Sequence, residues 1–168
     1  MSMKQYKEHK YVQPQGDIYC VLYNIANVFN IDMTMLNGFK SEGIGTKDME
    51  HIIQVIGFPK SYIAVMNNCI MPYKIPTDSM EFIIKSIRQY CKTDMFCVLP
   101  AVIRLKNDRL HSISILLSLN KIVVSDPRKT DMYEVTLEEL LKVLVAEQIS
   151  VLLNYRGFRK SNLIFINV

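Results

Sequence analysis

The sequence lacks a long apolar segment and an apolar secretion signal. The chain of 168 residues contains no run of eighteen uncharged apolar residues, so no membrane-spanning helix is expected. The N-terminal segment MSMKQYKEHKYV is polar and basic and has no apolar core. We therefore expect a cytoplasmic protein, or one that is packaged without a secretion signal.

Cysteine is sparse, and its spacing follows no known framework. The four cysteines form no CxxC pair, which predicts a reduced chain without a disulfide scaffold. The three histidines stand apart from one another and from any cysteine pair, so the sequence contains no zinc-binding spacing.

A strong excess of charge of one sign is also absent. The net charge is +4, which is too weak to indicate nucleic acid as a partner. Hydrophobic residues make up 49% of the chain, as in ordinary globular proteins. The length predicts one domain, which we place at residues 13–168 after a polar arm at residues 1–12. The oligomeric state stays open.

The first half of the chain has helical periodicity. A turn at Gly16 precedes residues 20–30, CVLYNIANVFN, whose apolar positions recur at helical spacing. The other segments with helical signals are residues 43–58, residues 76–91 with Asp78 and Glu81 at capping-box spacing, and residues 136–145 with a capping box from Thr136 to Glu139.

The second half is richer in strand patterns. The strand segments are residues 96–105, 111–119 and 121–125, with a short earlier strand at 61–66 and closing strands at 149–155 and 163–168. Pro100 predicts an edge strand or a strand start. Helices followed by mostly antiparallel strands indicate an α+β fold, with an N-terminal helical half packed on a C-terminal antiparallel sheet.

A nucleophilic cysteine site is the main functional hypothesis. Cys20 stands where a helix begins, and the positive end of a helix dipole lowers a thiol pKa. His111 shares the apolar face of its strand with Ile113 and Ile115. In a hairpin turning around Asn120, residue 122 would lie opposite Ile115 and Asp126 opposite His111. Cys20, His111 and Asp126 would then form a catalytic triad. Taken alone, Cys20 fits a buried structural role better than a catalytic one, and His111 and Asp126 fit either role equally well.

Such a site also needs a donor for the oxyanion that forms on the substrate. Gln13 and Gln15 both precede Cys20 closely enough for a side-chain amide to fold back. We favour Gln15 because it is nearer in sequence, and Gln13 stays open as the alternative. The proposed chemistry needs no metal and no organic cofactor.

The order Gln, Cys, His, Asp resembles that of papain-like cysteine peptidases. The segments QPQGDIYC, GTKDMEHIIQVIGF, LPAVIRL, HSISILL and KIVVSDP resemble, in that order, the bacteriocin-processing peptidase domains that cut leader peptides after Gly-Gly. The five-residue spacing from Gln15 to Cys20 and the NIAN sequence also resemble Josephin-type deubiquitinases. These resemblances imply a papain-like fold and hydrolysis of a peptide or isopeptide bond after a small-residue motif.

The resemblance leaves one alternative function. The bacteriocin-processing domains have glycine after the catalytic cysteine, whereas this chain has Val21. A bulky residue there would narrow access to the thiol. The alternative is therefore a catalytically inactive papain-like module that binds a peptide or a protein partner.

Overall fold

The structure is a computed structural model, and it describes residues 4–39, 77–104, 110–146, 150–151 and 165–168. The elements are β1 (Lys4–Glu8), α1 (Cys20–Phe29), a 3-10 helix (Met33–Phe39), α2 (Thr77–Arg88), β2 (Phe96–Arg104), β3 (Leu110–Leu117), β4 (Ile122–Ser125), β5 (Asp131–Val135), α3 (Leu137–Ala146), β6 (Ser150–Val151) and β7 (Phe165–Ile166). Helices and antiparallel strands are combined, so the predicted α+β class is confirmed.

Several predicted features lie outside the described residues. These are the helix at residues 43–58, the strand at residues 61–66, Cys69, and the side chain of Asp78 in the predicted capping box. The two closing strands are described only in part, and both parts are extended, at β6 and at β7.

The described strands form one seven-stranded sheet in the order β1-β5-β4-β3-β2-β6, with β7 also paired to β2. Every strand pair is antiparallel. The predicted polar arm contributes the edge strand, since Lys4 pairs with Glu134 and Glu8 pairs with Asp131. Most of β1 is exposed, which explains its polar sequence, and its pairing with a segment far along the chain is invisible to local periodicity.

Apolar side chains cover both faces of the sheet. Alternate residues of β3 point to opposite sides, as expected for a strand. Ile113, Ile115 and Leu117 pack with Ile84 and Ile87 of α2 and with Leu140 of α3. Leu116 packs on the other face with Leu22 and Ile25 of α1. The helix that begins with Cys20 therefore lies against one face, and α2 and α3 lie against the other.

The prediction that Pro100 marks an edge strand or a strand start is wrong. Strand β2 has β3 on one side along its whole length, with Pro100 opposite Ser114. On the other side it pairs with β7 at Phe96 and Cys97 and with β6 at Ala101 and Val102. Pro100 lies between these two short pairings and belongs to neither of them.

The local sequence before α1 determines where that helix begins. Gly16 has a φ of 84°, a left-handed conformation that suits glycine, in the turn closed by the bond from Asp17 N to Pro14 O. The Asp17 carboxylate then accepts the Tyr19 N–H at 2.7 Å. The helix ends at Asn30, which adopts the left-handed conformation typical of a C-terminal cap. The turn at Gly16 and the bond from Tyr19 N to Asp17 place Cys20 at the first position of the helix.

The hairpin of β3 and β4 turns at Asn120, as predicted, but its strands pair in a different register. Ser118 N donates to Lys121 O across a tight turn at Leu119 and Asn120. Consequently Ile115 pairs with Val124, two residues beyond the predicted partner at 122. The last pair before the site is Ser114 with Ser125, and the chain leaves the sheet at Asp126.

The predicted capping box at the start of α3 is confirmed. Glu139 N donates to Thr136 Oγ1 at 3.1 Å, and Thr136 N donates to Glu139 Oε1 at 3.2 Å. Across the described part of the chain, none of the helices has the length and apolar character needed to span a membrane.

Candidate active site

Cys20 lies at the N-terminus of α1 against the first residues of β3. Its thiol is half-buried and accepts a hydrogen bond from Ser112 N at 3.5 Å. The thiol also interacts with the backbone N–H of Val21 and with the imidazole of His111. The sulfur is therefore surrounded by hydrogen-bond donors, which favour its anionic form.

His111 connects this thiol to a carboxylate. The imidazole is 3% exposed, and its Nε2 lies 2.8 Å from Asp126 Oδ1. Because Nε2 contacts Asp126, Nδ1 is the ring nitrogen that faces Cys20. Asp126 thus fixes both the orientation of the ring and its tautomer. The structure brings together the three residues that were predicted to form a triad.

Arg128 holds Asp126 in place from the other side. Its backbone N donates to Asp126 Oδ1 at 3.0 Å, and Nη2 of its guanidinium donates to Oδ2 at 2.7 Å. The end of β4 at Ser125 explains this arrangement, because Asp126 and Arg128 follow it in a turn closed by the bond from Lys129 N to Asp126 O, just outside the sheet. Nothing in the sequence analysis singled out Arg128.

The electrostatics favour a charged pair at the thiol and the imidazole. Burial raises the pKa of Cys20, but the hydrogen bonds from His111 and Ser112 outweigh it, so the pKa lies below its ordinary value. Burial lowers the pKa of His111, but the bonds to Asp126 and Cys20 outweigh it and raise the pKa. The two shifts bring the pKa values of the thiol and the imidazole toward each other, which favours transfer of the thiol proton to the ring.

The carboxylate is the most strongly shifted group of the three. Burial raises the pKa of Asp126, but the hydrogen bonds from His111 and Arg128 outweigh it and hold the pKa well below its usual range. Asp126 is therefore ionised throughout the pH range in which the protein would work. Its negative charge stabilises the imidazolium form of His111.

The two upstream glutamines differ in burial. Gln15, the favoured oxyanion donor, lies in the turn with its side chain exposed. Gln13 is 8% exposed, and its Nε2 donates to Asp17 O at 2.7 Å. A buried and anchored amide has a fixed orientation, which an exposed one lacks. Burial therefore favours Gln13 as the oxyanion donor. The distance in sequence to Cys20, which favours Gln15, carries no information about burial.

The residues around His9 are bonded to the segment that carries Asp126. His9 Nδ1 lies 2.7 Å from Lys129 O and Nε2 lies 2.9 Å from Ser125 Oγ. A carbonyl can only accept, so Nδ1 carries a proton, and in the neutral ring Nε2 accepts the Ser125 hydroxyl. Gln13 N also donates to Pro127 O at 2.7 Å. The segment 9–13 thus holds the turn that carries Asp126.

The same segment is bonded to α1. Tyr11 N donates to Asn27 Oδ1, and Asn27 Nδ2 donates to Tyr11 O, both at 2.8 Å. The sequence predicts only a polar arm at residues 1–12, because a short polar segment gives no sign of long-range pairing. In the structure this arm connects α1, which begins with Cys20, to the turn that carries Asp126.

Metal chemistry has no apparent site in the described ranges. No group of three or more His, Cys, Asp or Glu side chains in that part of the chain could hold a metal ion.

Comparison of the chain with models of protein families, with curated proteins and with solved structures gives no match.

Proposed function

We propose that this chain is a papain-like cysteine peptidase with Cys20, His111 and Asp126 as its catalytic triad. One observation carries the proposal. A buried imidazole lies between a thiol at a helix N-terminus and a carboxylate, with 2.8 Å between His111 Nε2 and Asp126 Oδ1. This is the arrangement that nucleophilic catalysis by cysteine requires.

The reaction would proceed through an acyl-enzyme. The Cys20 thiolate attacks the carbonyl carbon of a peptide or isopeptide bond and forms a tetrahedral intermediate. When the intermediate collapses, the C–N bond breaks and the His111 imidazolium gives its proton to the leaving amine. Neutral His111 then takes a proton from water, whose oxygen attacks the thioester. The acid product leaves, and the thiolate–imidazolium pair forms again.

The oxyanion would be held by the backbone N–H of Cys20 and by a glutamine amide. The first N–H groups of a helix have no partner within the helix, so that of Cys20 is suited to this task. A primary amide has two N–H donors, and one donor of Gln13 is bound to Asp17 O. We assign the other to the oxyanion, with Gln15 as the alternative donor.

The substrate would be a polypeptide cut after a small-residue motif such as Gly-Gly. This choice rests on the resemblance to the leader-processing peptidases and to the Josephin-type enzymes. It predicts that a fluorogenic amide ending in Gly-Gly is hydrolysed, and that the matched substrate ending in Val-Val is not. Equal hydrolysis of the two would contradict the small-residue preference without affecting the triad.

Thiol labelling tests the triad directly. Wild-type protein is treated with iodoacetamide across the pH range, and labelled cysteines are identified by mass spectrometry, with glutathione as the reference thiol. We expect Cys20 to react faster than glutathione below neutral pH, because its pKa is lowered. His111→Ala is expected to abolish this advantage. Cys91 is an internal control, because burial raises its pKa.

The inactive binding module is the competing proposal, and the same experiment separates the two. Val21 packs partly against the apolar cluster on the α1 side of the sheet, so its side chain is directed at least in part toward the core. If Cys20 reacts no faster than glutathione at any pH, the peptidase proposal is refuted. The inactive binding module would then be the remaining proposal.

A further inference from the structure

A buried polar network joins α1 to β3 next to the site. The Asn24 side chain is 4% exposed, its Nδ2 donates to Ser112 Oγ at 3.0 Å, and its Oδ1 accepts from Ser114 Oγ at 3.1 Å. Both ends of the amide are therefore satisfied by one strand. The proposed reaction uses none of these three side chains.

The network lies one helical turn from the nucleophile. Residues four positions apart lie on the same helix face, so Cys20 and Asn24 both face β3. Cys20 Sγ accepts the backbone N–H of Ser112, and Asn24 bonds the hydroxyl of that same residue. Two successive turns of α1 thus contact Ser112, which directly follows His111 in the chain.

Apolar contacts alone would not fix this alignment. Leu22 and Ile25 bury α1 against the sheet, but hydrophobic attraction has no direction and tolerates small shifts along the strand. A pair of hydrogen bonds from one planar amide to two serines on the same face of β3 permits one position only. Nucleophile and base must be held within about 0.5 Å of their productive geometry.

We propose that Asn24 is a positioning residue, whose amide fixes α1 along β3 so that the Cys20 thiol stays against Ser112 N–H and the His111 imidazole. The inference rests on the proposed function, because it assigns Asn24 to the same site. It goes further by naming the contact that sets the distance between nucleophile and base. Asn24 acts through Ser112 and does not touch the substrate.

Asn27 provides a matched control. It is on the same helix, is also 4% exposed, and makes two hydrogen bonds through its amide. Its partner is the backbone of Tyr11, so it ties α1 to the N-terminal segment and not to β3. Asn24→Ala and Asn27→Ala therefore remove similar buried bonds at different places. Urea unfolding is expected to show a similar loss of stability in the two variants.

The test is the pH profile of Cys20 alkylation by iodoacetamide in folded protein. We expect Asn24→Ala to slow the alkylation of Cys20 below neutral pH by about 10- to 100-fold, because a small displacement of the thiol weakens its contact with His111. For the same reason, the acid limb of the pH profile should move to higher pH. Asn27→Ala is expected to leave the acid limb unchanged, because the bonds of His9 and of Gln13 N to the turn that carries Asp126 do not involve Asn27. A purely structural role for Asn24 would make the two profiles alike, and that result would overturn the inference.

A milder variant covers the case in which Asn24→Ala does not fold, and a double-mutant cycle adds a test for the case in which it does. Ser114→Ala removes one of the two bonds of Asn24, and we expect a smaller slowing in the same direction; no change in the profile would count against the inference. In the cycle, the effects of Ser112→Ala and Asn24→Ala on the rate of Cys20 alkylation are expected to be non-additive, because both remove the same hydrogen bond. The effects of Ser112→Ala and Asn27→Ala on that rate are expected to be additive.

The two proposals fail in different ways. Fast wild-type labelling of Cys20 with identical profiles for Asn24→Ala and Asn27→Ala would refute the positioning role and leave the peptidase proposal intact. Slow wild-type labelling would refute the peptidase proposal, and the role of Asn24 in the site with it.

Discussion

Replacing Asp126 by asparagine should both weaken the fold and change its response to pH. The carboxylate accepts from His111 Nε2 at 2.8 Å through Oδ1 and from Arg128 Nη2 at 2.7 Å through Oδ2. An asparagine has one oxygen and one NH₂ group. If its oxygen stays toward His111, its NH₂ group faces the guanidinium, and two donors then oppose each other.

The magnitude follows from the burial of the two charged groups and from the hydrogen bonds that the substitution removes. Breaking a fully buried ion pair on one side costs about 3–5 kcal/mol. The Asp126 side chain is 12% exposed, but that of Arg128 is 34% exposed, so the guanidinium regains part of its hydration. We therefore expect Asp126→Asn to lower the free energy of unfolding by about 2–3 kcal/mol at neutral pH.

The folded-state pKa of Asp126 determines how the loss of stability in Asp126→Asn changes with pH. The folded-state pKa of Asp126 lies below the ordinary value of 3.8, so its stabilisation is complete above 3.8 and is lost as pH falls through the folded-state pKa. The difference between wild type and Asp126→Asn should therefore shrink in strong acid. Urea unfolding followed by circular dichroism at several pH values measures it.

Two controls sharpen the test. Asp126→Asn combined with Arg128→Gln should recover part of the lost stability, because the opposed guanidinium is gone. Asp131→Asn changes an aspartate whose bond to Gln5 is exposed, and it should alter stability by less than about 0.5 kcal/mol. If Asp126→Asn and Asp131→Asn unfold at the same urea concentration at neutral pH, Asp126 does not anchor the imidazole and the guanidinium.

Three further predictions concern single residues. Gln13→Ala should lower kcat/KM for peptide hydrolysis by about 100-fold or more, as for loss of an oxyanion donor, whereas Gln15→Ala should not; the reverse order would reassign the donor. Arg128→Gln should move the basic limb of hydrolysis to higher pH, because the Arg128 charge lowers the pKa of His111; a downward shift would contradict that electrostatic role. Thr136→Ala should cost about 1 kcal/mol in urea unfolding without changing Cys20 labelling, since it removes only a helix cap.

Local patterns were sufficient to predict the elements that carry the triad. Apolar periodicity placed the start of α1 at Cys20, and alternation placed His111 in a strand followed by a hairpin. The hairpin register was two residues off, because Asn120 alone does not determine which residues form the tight turn. The contact between His111 and Asp126 forms despite that error, since Asp126 lies outside the paired region.

The supporting contacts were not predictable from local sequence. His9 and Gln13 gain their partners from a turn more than a hundred residues later in the chain, and nothing near them in sequence indicates this. Strand β5 was missed because DMYEV alternates weakly and is short. Asn24 looked like an ordinary polar residue of a helix, and only the position of β3 gives it two partners.

The pairing of β1 with β5 also has a consequence for folding during synthesis. Contacts between segments so distant in sequence form slowly, and they require residues 131–135 to have been made. His111, Asp126 and the turn that Gln13 holds are all added long after Cys20. On the proposed function, a growing chain therefore carries Cys20 as an ordinary thiol until His111 and Asp126 have been made and have reached it.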